Sequence, residues 1–337
     1  MKKLIFTALL AVLGFSAKAQ NSLLASLTHD GTITTYYGTS ALAEAHSAAV
    51  HGDVITLSAG SFTATDITKA ITLRGAGMHT DSTKNIMPTI IQGDFNINIE
   101  DSLAGSLCIE GIFNNNNITY SNKLVSPRFQ KCRLNKLIYG LTTDEMENAT
   151  FVHCRIIGDL KLGSKSSAML MNCIVEDPGS HTHDRSTFEF INCVLNFKEY
   201  SVMGIEASTL MNCIIMLRYN AQKLDATNLA FNNVGINATN WLFENITNTT
   251  NSLSSYEEVF KTFRGGALSL YDNEDFELTE EAKAKFRGTD GTEIGIYGGS
   301  LPYDPITSTP QITKCKVAPK SDADGKLSVE IEVNIAE

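Results

Sequence analysis

A six-residue pattern recurs along the chain, and its four most similar copies lie between residues 151 and 215. They read FVHCRI (151–156), LMNCIV (170–175), FINCVL (190–195) and LMNCII (210–215). Each copy begins and ends with an apolar residue and has cysteine at its fourth position, and successive cysteines are 19, 20 and 20 residues apart. A fixed period of about 20 residues indicates a solenoid, in which each repeat packs only against its neighbours.

The pattern continues with substitutions on both sides of this stretch. The further copies are IIQGDF (90–95), CIEGIF (108–113), FQKCRL (129–134) and FNNVGI (231–236). Their fourth positions hold Gly93, Gly111, Cys132 and Val234. Eight copies therefore predict a register that runs from Gly93 to Val234.

The residue types in the copies favour strands over helices. Phe, Ile, Val and Cys alternate with polar residues, and Gly, Asn, Asp and Ser fill the gaps, which are strand and turn signals. Helical solenoids need roughly 33 to 47 residues per repeat. Stacking of coils about 4.8 Å apart would pair each strand with its equivalents above and below. We therefore predict an all-β fold, a parallel β-helix; a β-sandwich would leave the period unexplained.

In the last four copies an asparagine precedes the fourth position. These residues are Asn172, Asn192, Asn212 and Asn233. Asparagine tolerates the left-handed backbone of a sharp turn, so we expect a column of turns whose amides hydrogen-bond from coil to coil. Binding of a substrate by these four asparagines is the alternative.

Five of the seven cysteines occupy the fourth position: Cys132, Cys154, Cys173, Cys193 and Cys213. Because apolar residues flank them, we interpret them as a buried stack of small hydrophobic side chains. Disulfides between neighbouring coils, thiol catalysis and metal binding are the alternatives, and an odd cysteine count does not select among them.

The first 19 residues have the organisation of a secretory signal peptide. Lys2 and Lys3 precede an apolar run from Leu4 to Phe15, and Ala17 to Ala19 form a small-residue cleavage site. We expect the mature chain to begin at Gln20 and to be periplasmic, attached to the cell surface or extracellular. No later stretch is apolar for the roughly 18 to 20 residues that a membrane helix needs, so we predict no membrane insertion.

Charge narrows the classes of partner. The chain has 27 basic and 37 acidic residues, a net charge of −10. Proteins that bind nucleic acid use clustered Lys and Arg, and no such cluster is present in the sequence. We predict no nucleic-acid partner, whereas a local basic groove for an acidic polysaccharide remains open.

The segment after residue 40 carries a resemblance to a known family. Thr39 or Ser40 can cap a predicted helix from Ala41 to about Val50. Residues 51–77 then read HGDVITLSAGSFTATDITKAITLRGAG. A helix followed by this order of strand-like runs and glycine turns resembles the opening of secreted bacterial proteins of the pectin-lyase-like right-handed β-helix superfamily. The resemblance implies right-handed coils and a helix that caps the first of them.

The C-terminal part is predicted in two pieces. Residues 275–299 resemble the closing segment of the same superfamily. Residues 311–336 alternate between apolar and polar residues, and they contain the predicted turn SDADG at 321–325. This pattern predicts a β-hairpin or edge strand. We thus expect a signal peptide at 1–19, a β-helix with its cap at 20–305 and a C-terminal hairpin at 306–337.

The superfamily includes pectate and pectin lyases, polygalacturonases and surface proteins without catalytic activity, so the fold alone selects no function. The polygalacturonase motifs N-T-D, D-D, G-H-G and R-I-K do not occur in the sequence. The best candidate cluster lies in one predicted turn and consists of Glu176, Asp177, His181, His183, Asp184 and Arg185.

Two functions follow from these observations. The first is a non-catalytic protein that binds glycans or a surface protein along an extended face, and it needs no cofactor or metal. The second is a polysaccharide lyase or glycoside hydrolase in which Glu176, Asp177, His183, Asp184 and Arg185 are the catalytic candidates, with calcium required only for a lyase. The near-uniform repeat length leaves little chain for the long loops that usually build a cleft, which favours the first. The sequence does not predict the oligomeric state.

Overall fold

Short strands joined by tight turns build the molecule, a parallel β-solenoid of about eight turns. The computed structural model describes residues 23–80, 87–100, 107–139, 145–158, 160, 162–163, 165–176, 186–197, 205–218, 223–246, 250–262, 274–307, 311–317, 320 and 324–334. The predicted signal peptide lies outside these residues. None of the helices in the described ranges is long and apolar enough to cross a membrane.

One strand of each coil contributes to a first sheet of eleven strands. In spatial order these are β2 (Thr32–Tyr37), β1 (Leu24–His29), β3 (Val54–Leu57), β5 (Thr72–Arg74), β8 (Cys108–Glu110), β11 (Arg128–Gln130), β14 (Ala149–Val152), β16 (Ser167–Met171), β18 (Thr187–Ile191), β20 (Thr209–Met211) and β22 (Leu229–Phe231). Pairing is parallel from β3 onward, whereas β1 is antiparallel to both β2 and β3.

A second strand of each coil contributes to a second sheet. Its strands are β4 (Gly60–Thr63), β6 (Thr89–Gln92), β7 (Phe95–Asn98), β9 (Ile112–Ser121), β12 (Arg133–Tyr139), β15 (Arg155–Ile156), β17 (Ile174–Glu176), β19 (Val194–Phe197), β21 (Ile214–Leu217), β23 (Val234–Ile236) and β24 (Ser252–Ser254). A two-stranded sheet of β10 (Leu124–Val125) and β13 (Met146–Glu147) forms a further parallel pair.

A single residue with a left-handed backbone turns the chain from the first sheet to the second. These residues stack as the turn column, which consists of Gly111, Lys131, His153, Asn172, Asn192, Asn212 and Asn232, all with φ between 49° and 65°. The next residue points inward and begins the second half of the coil. The predicted left-handed turns are therefore confirmed for Asn172, Asn192 and Asn212.

The predicted register is wrong in the copies at both ends. Gln130 pairs with Glu110, so Gly111 lies at the turn and Ile112 takes the position of the cysteine. In the copy before it, Thr89 pairs with Ile112 and Gly93 lies beyond the strand. Glycine has no steric cost at a positive φ, and it has no side chain to fill the core. Gly111 therefore fits the turn better than the inward position.

The last copy is shifted by one residue in the opposite direction. Met211 pairs with Phe231 and Ile214 with Val234. Asn232, not Asn233, continues the turn column, and Asn233 occupies the inward position that Val234 was predicted to take. The buried residues that directly follow the turn column form the inward column: Ile112, Cys132, Cys154, Cys173, Cys193, Cys213 and Asn233. The hydrogen bonds made in this column explain why an asparagine fits there.

The inward cysteines are fully buried, as predicted, and they are free thiols. Each thiol also links two coils: Cys173 Sγ donates to the carbonyl of Phe151 at 3.5 Å and accepts from the amide of Cys154 at 3.3 Å. Burial raises the pKa of the Cys173 thiol well above its usual value, which keeps this donor protonated. Asn233 makes the same two bonds, to the carbonyl of Leu210 at 3.0 Å and from the amide of Cys213 at 2.8 Å.

The N-terminal end of the solenoid is covered by the β1–β2 hairpin and by helix α1 (Ala41–Ala48). The predicted helix is confirmed, although it ends two residues earlier than expected. Its buried residues Ala41, Leu42 and Ala45 belong to the main core. Ser40 precedes the helix, but its hydroxyl donates to Glu44 Oε1 at 2.8 Å and accepts from no backbone amide of the helix.

The C-terminal segment returns along the side of the solenoid. Helices α2 (Tyr256–Val259) and α3 (Glu280–Lys285) lie on the outer face of the second sheet. Apolar side chains from this segment and from the sheet form a second core. It includes Ile174, Val194, Ile214, Met216, Val234, Ile236, Val259, Phe260, Phe276, Leu278, Phe286, Ile294 and Ile296. The predicted closing segment therefore covers a sheet face.

Residues 286–307, which we call the strap, run along the turn column. Asn172 Nδ2 donates to the carbonyls of Ile296 and Gly298, both at 2.8 Å. Asn232 Nδ2 donates to the carbonyl of Arg287 at 2.9 Å. The expected bonding of the asparagine amides from coil to coil is therefore wrong for Asn172 and for Asn212, whose Oδ1 accepts from the strap amide of Thr289 at 2.9 Å. Asn233 does bond to the preceding coil, although from an inward position and not from the turn.

The other end of the strap reaches the early coils. Lys131 Nζ lies 3.0 Å from Asp304 Oδ2, and His153 Nε2 lies 3.0 Å from the carbonyl of Leu301. Thr307 is fully buried against Gly111. Any side chain at position 111 would clash with Thr307. The hairpin of β25 (Gln311–Val317) and β26 (Val329–Asn334) follows, which confirms the predicted C-terminal strands.

Candidate functional site

The structure describes one residue of the predicted cluster, Glu176. Glu176 is the last residue of β17 and is 5% exposed, beside Asn196 of the next coil. Asp177, His181, His183, Asp184 and Arg185 lie outside the described residues. Glu176 therefore belongs to the buried part of the second sheet and not to a surface turn.

The outer face of the second sheet carries further buried polar groups. Arg155 is 2% exposed and Asn196 is fully buried. Among the described residues, neither amide atom of Asn196 has a hydrogen-bond partner. Over the coils between Ile174 and Ile236, the described C-terminal segment packs its apolar side chains against this face.

The outer face of the first sheet is open. Between residues 148 and 209 it forms a shallow groove of about 440 Å³ that crosses four coils. The groove is lined by Asn148, Ala149, Thr150, Ser167, Ala168, Met169, Thr187, Phe188, Glu189, Ala207 and Thr209. Its floor is a parallel sheet, so equivalent side chains repeat at the strand spacing of roughly 4.8 Å.

Two columns of side chains give this groove its chemistry. The inner column pairs Thr150 with Met169, Met169 with Glu189, and Glu189 with Thr209 in successive coils. Each of these residues directly precedes the first apolar residue of its repeat, so alternation turns it outward. A sequence signal for the groove was therefore present in the repeat itself.

The outer column consists of Asn148, Ser167, Thr187 and Ala207. Ser167 Oγ accepts from the backbone amide of Asn148 at 2.8 Å, and Ala207 donates to Thr227 Oγ1 at 2.9 Å. Within the described part of the chain, the hydroxyls of Thr150, Thr187 and Thr209 make no hydrogen bond to protein. These three hydroxyls can therefore donate to and accept from a ligand.

The groove has few side chains that could act in catalysis. Among its lining residues Glu189 is the single carboxylate, and none is Lys, Arg or His. Glycoside hydrolysis ordinarily uses two carboxylates, and proton abstraction from a uronate needs a positioned base. Across the described residues, no group of three or more His, Cys, Asp and Glu side chains is arranged to hold a metal ion.

Together these features define a β-solenoid with one sheet face covered by its own C-terminal segment and the other open and lined by hydroxyls. Comparisons of the chain with protein-family models, with curated proteins and with solved structures found no match. The functional argument therefore depends on the chemistry of the open face.

Proposed function

We propose that this protein is a non-catalytic β-solenoid that binds a neutral glycan along the outer face of the first sheet. The observation that carries the proposal is the set of three threonine hydroxyls that have no partner among the described residues and lie in an open groove across four coils. A saccharide chain offers hydroxyls at its edges and C–H groups on its faces. Thr150, Thr187 and Thr209 can hydrogen-bond to the hydroxyls, and Met169 can pack against the C–H groups.

Three further properties of the groove support a polymeric, uncharged ligand. The groove is shallow and lies across the coils, so a chain longer than one sugar unit can continue past both ends. Equivalent side chains repeat at roughly 4.8 Å, a spacing of the same order as one sugar unit. No cation among the groove's lining residues neighbours Glu189, so its carboxylate would repel those of acidic polysaccharides.

The test is binding to a panel of neutral and acidic polysaccharides, measured by affinity electrophoresis and titration calorimetry. We expect the wild-type protein to bind at least one neutral polysaccharide, with no release of reducing or unsaturated products. The double variant Thr150→Ala/Thr187→Ala should weaken that binding about tenfold, since each hydrogen bond contributes roughly 0.5 to 1.5 kcal/mol.

The matched control is Thr32→Ala/Thr63→Ala, which removes two exposed hydroxyls outside the groove. Its affinity should equal that of the wild type. Equal losses in both variants, or binding to none of the neutral polysaccharides, would refute the proposed site. Formation of reducing or unsaturated products from any polysaccharide would instead favour the alternative function, a polysaccharide lyase or glycoside hydrolase.

The resemblance of residues 51–77 to the pectin-lyase-like superfamily supports two related proposals, that the coils are right-handed and that the protein is exported. Export agrees with a glycan ligand, since polysaccharides of cell surfaces lie outside the cytoplasm. N-terminal sequencing of the protein from the periplasm or medium should begin at Gln20. Recovery of the intact N-terminus from the cytoplasm alone would contradict export.

A further inference from the structure

Strand β2 is the outermost strand of the first sheet, at the N-terminal end of the solenoid. It pairs with β1 along one edge, and no other described strand pairs with it. Ile33 and Tyr37 are 65% and 63% exposed. The strand thus presents both an unpaired backbone edge and two large apolar side chains.

The sequence of β2 lacks the usual protection of an edge strand. Edge strands are commonly protected by lysine, proline, inward-pointing charge or a bulge. Residues 32–37 read TITTYY and contain no charge and no proline, and their pairing with β1 is continuous over six residues. An unprotected edge of this kind is a template for a further strand.

The alternation of β2 fixes which side chains share a face. Tyr36 pairs with the buried Ala25 and packs against the main core, and Thr34, although exposed, lies on the same side of the strand. Ile33, Thr35 and Tyr37 consequently face outward, on the same side as the candidate glycan groove.

We propose that two copies of the chain pair through β2, antiparallel, about a two-fold axis that passes through Thr35 perpendicular to the sheet. In this register Thr35 lies opposite its own copy. Ile33 lies opposite Tyr37 of the second copy, and Thr34 opposite Tyr36. This perpendicular axis keeps outward residues beside outward residues.

The occupant is a second copy because β2 is complementary to itself in this register. Each exposed Ile33 gains an exposed Tyr37, and aromatic with β-branched pairs are favourable across antiparallel strands. Each molecule carries a net charge of −10, yet the edge brings no like charges together. A two-fold contact also uses the same surface on both copies and closes as a dimer.

The C-terminal hairpin is the other exposed β element, and its charges make it the less suitable edge. Glu330 and Glu332 of β26 lie opposite Lys316 and Lys314 of β25. Antiparallel pairing of β26 with its own copy would place glutamates near glutamates. The hairpin therefore serves as the comparison in the test.

Pairing through β2 would join two first sheets with their outer faces on the same side. The two proposed glycan grooves would then belong to one surface, which would raise the avidity for a long polymer without any new contact to it. The dimer itself does not depend on the glycan proposal. Its test therefore uses no ligand.

The experiment measures the association state of the purified protein by sedimentation velocity and light scattering. We expect reversible dimers to form as the protein concentration is raised to about 100 µM, since a single strand pair is a small interface and its dimer is weak. Thr35→Lys places two ammonium groups opposite each other and should weaken the dimer at least tenfold. Ile33→Lys should do the same, and Ile331→Lys, at an equally exposed site of the hairpin, should not.

Crosslinking tests the register. Thr35→Cys should form a disulfide-linked dimer under mild oxidation, because directly opposed residues lie within disulfide range. Val50→Cys, an exposed position nearby in the chain, should not. Circular dichroism should show that all variants are folded. A monomer at every concentration, or loss of the dimer in Ile331→Lys with none in Thr35→Lys, overturns the proposal.

Discussion

At the scale of single residues, the inward column shows that one position carries two requirements. The cysteines fill space in the core, and their thiols also satisfy a carbonyl of the preceding coil. Asn233 meets the second requirement with an amide and is equally buried. The column is therefore a hydrogen-bonded ladder as well as an apolar stack.

Replacement of Cys193 separates the two requirements. Cys193→Asp should destabilise strongly, by about 3 kcal/mol or more, because a carboxylate would be buried without a cation. Cys193→Val keeps the volume but loses the bond to the carbonyl of Leu170, which is 3.3 Å from Sγ. It should cost roughly 1 to 3 kcal/mol, the penalty of an unsatisfied buried carbonyl.

Chemical denaturation of both variants and of the wild type measures these differences. Similar denaturation midpoints for Cys193→Asp and Cys193→Val would contradict the inward position of this side chain. A Val variant as stable as the wild type would show that the thiol acts only by filling space.

At the scale of elements, the turn column joins two parts of the chain that are distant in sequence. Asn172, Asn192 and Asn212 of this column were predicted as turns, and the structure adds that several residues of the column bind the strap. Asn172 alone donates to two strap carbonyls. A side chain with a left-handed backbone projects outward, where the strap lies, so both roles are compatible at one residue.

Variants at Asn172 distinguish the two roles. Asn172→Gly keeps the left-handed turn but loses both bonds to the strap, and it should lower the free energy of unfolding by roughly 1 to 3 kcal/mol. Asn172→Ala should cost about 1 kcal/mol more, since alanine is strained at this φ. Thermal unfolding is the measurement.

Asn148 supplies the control, because it is exposed and has a φ of 52° but does not bind the strap. Asn148→Gly should be close to neutral. If Asn172→Gly were equally neutral, the strap would not depend on the amide.

At the scale of the whole molecule, the two sheets have different surroundings although their strands come from the same repeats. Outward residues of the second sheet, such as Ile214, are buried by the C-terminal segment. Outward residues of the first sheet, such as Met169, line an open groove. This asymmetry restricts the candidate ligand site to one face.

Ile214→Asp and Met169→Asp test the asymmetry with the same substitution at outward positions of both sheets. The first should destabilise by about 3 kcal/mol or more, because it buries a charge in the second core. The second should cost no more than about 1 kcal/mol, because the new carboxylate stays in water and is repelled only by Glu189 of the next coil. Equal losses of stability would contradict a covered second sheet and an open first sheet.

The repeat alone determined the parallel solenoid, the buried cysteines and the turns at Asn172, Asn192 and Asn212, because stacked coils require the same residue type at a fixed interval. The N-terminal helix was predicted instead from a local signal, a capping residue before a run of small apolar residues. The register of the end copies was not determined, since glycine at Gly111 and asparagine at Asn233 fit more than one position until strands pair.

Only the tertiary structure decided which face stays open. The candidate cluster around Glu176 was chosen from neighbours in sequence, but the surroundings of Glu176 come from stacked coils and burial. The strap illustrates the same limit: Asn172 and Ile296 are 124 residues apart along the chain. Local spacing specifies a coil, whereas the covering of one sheet and the exposure of the other follow from long-range packing.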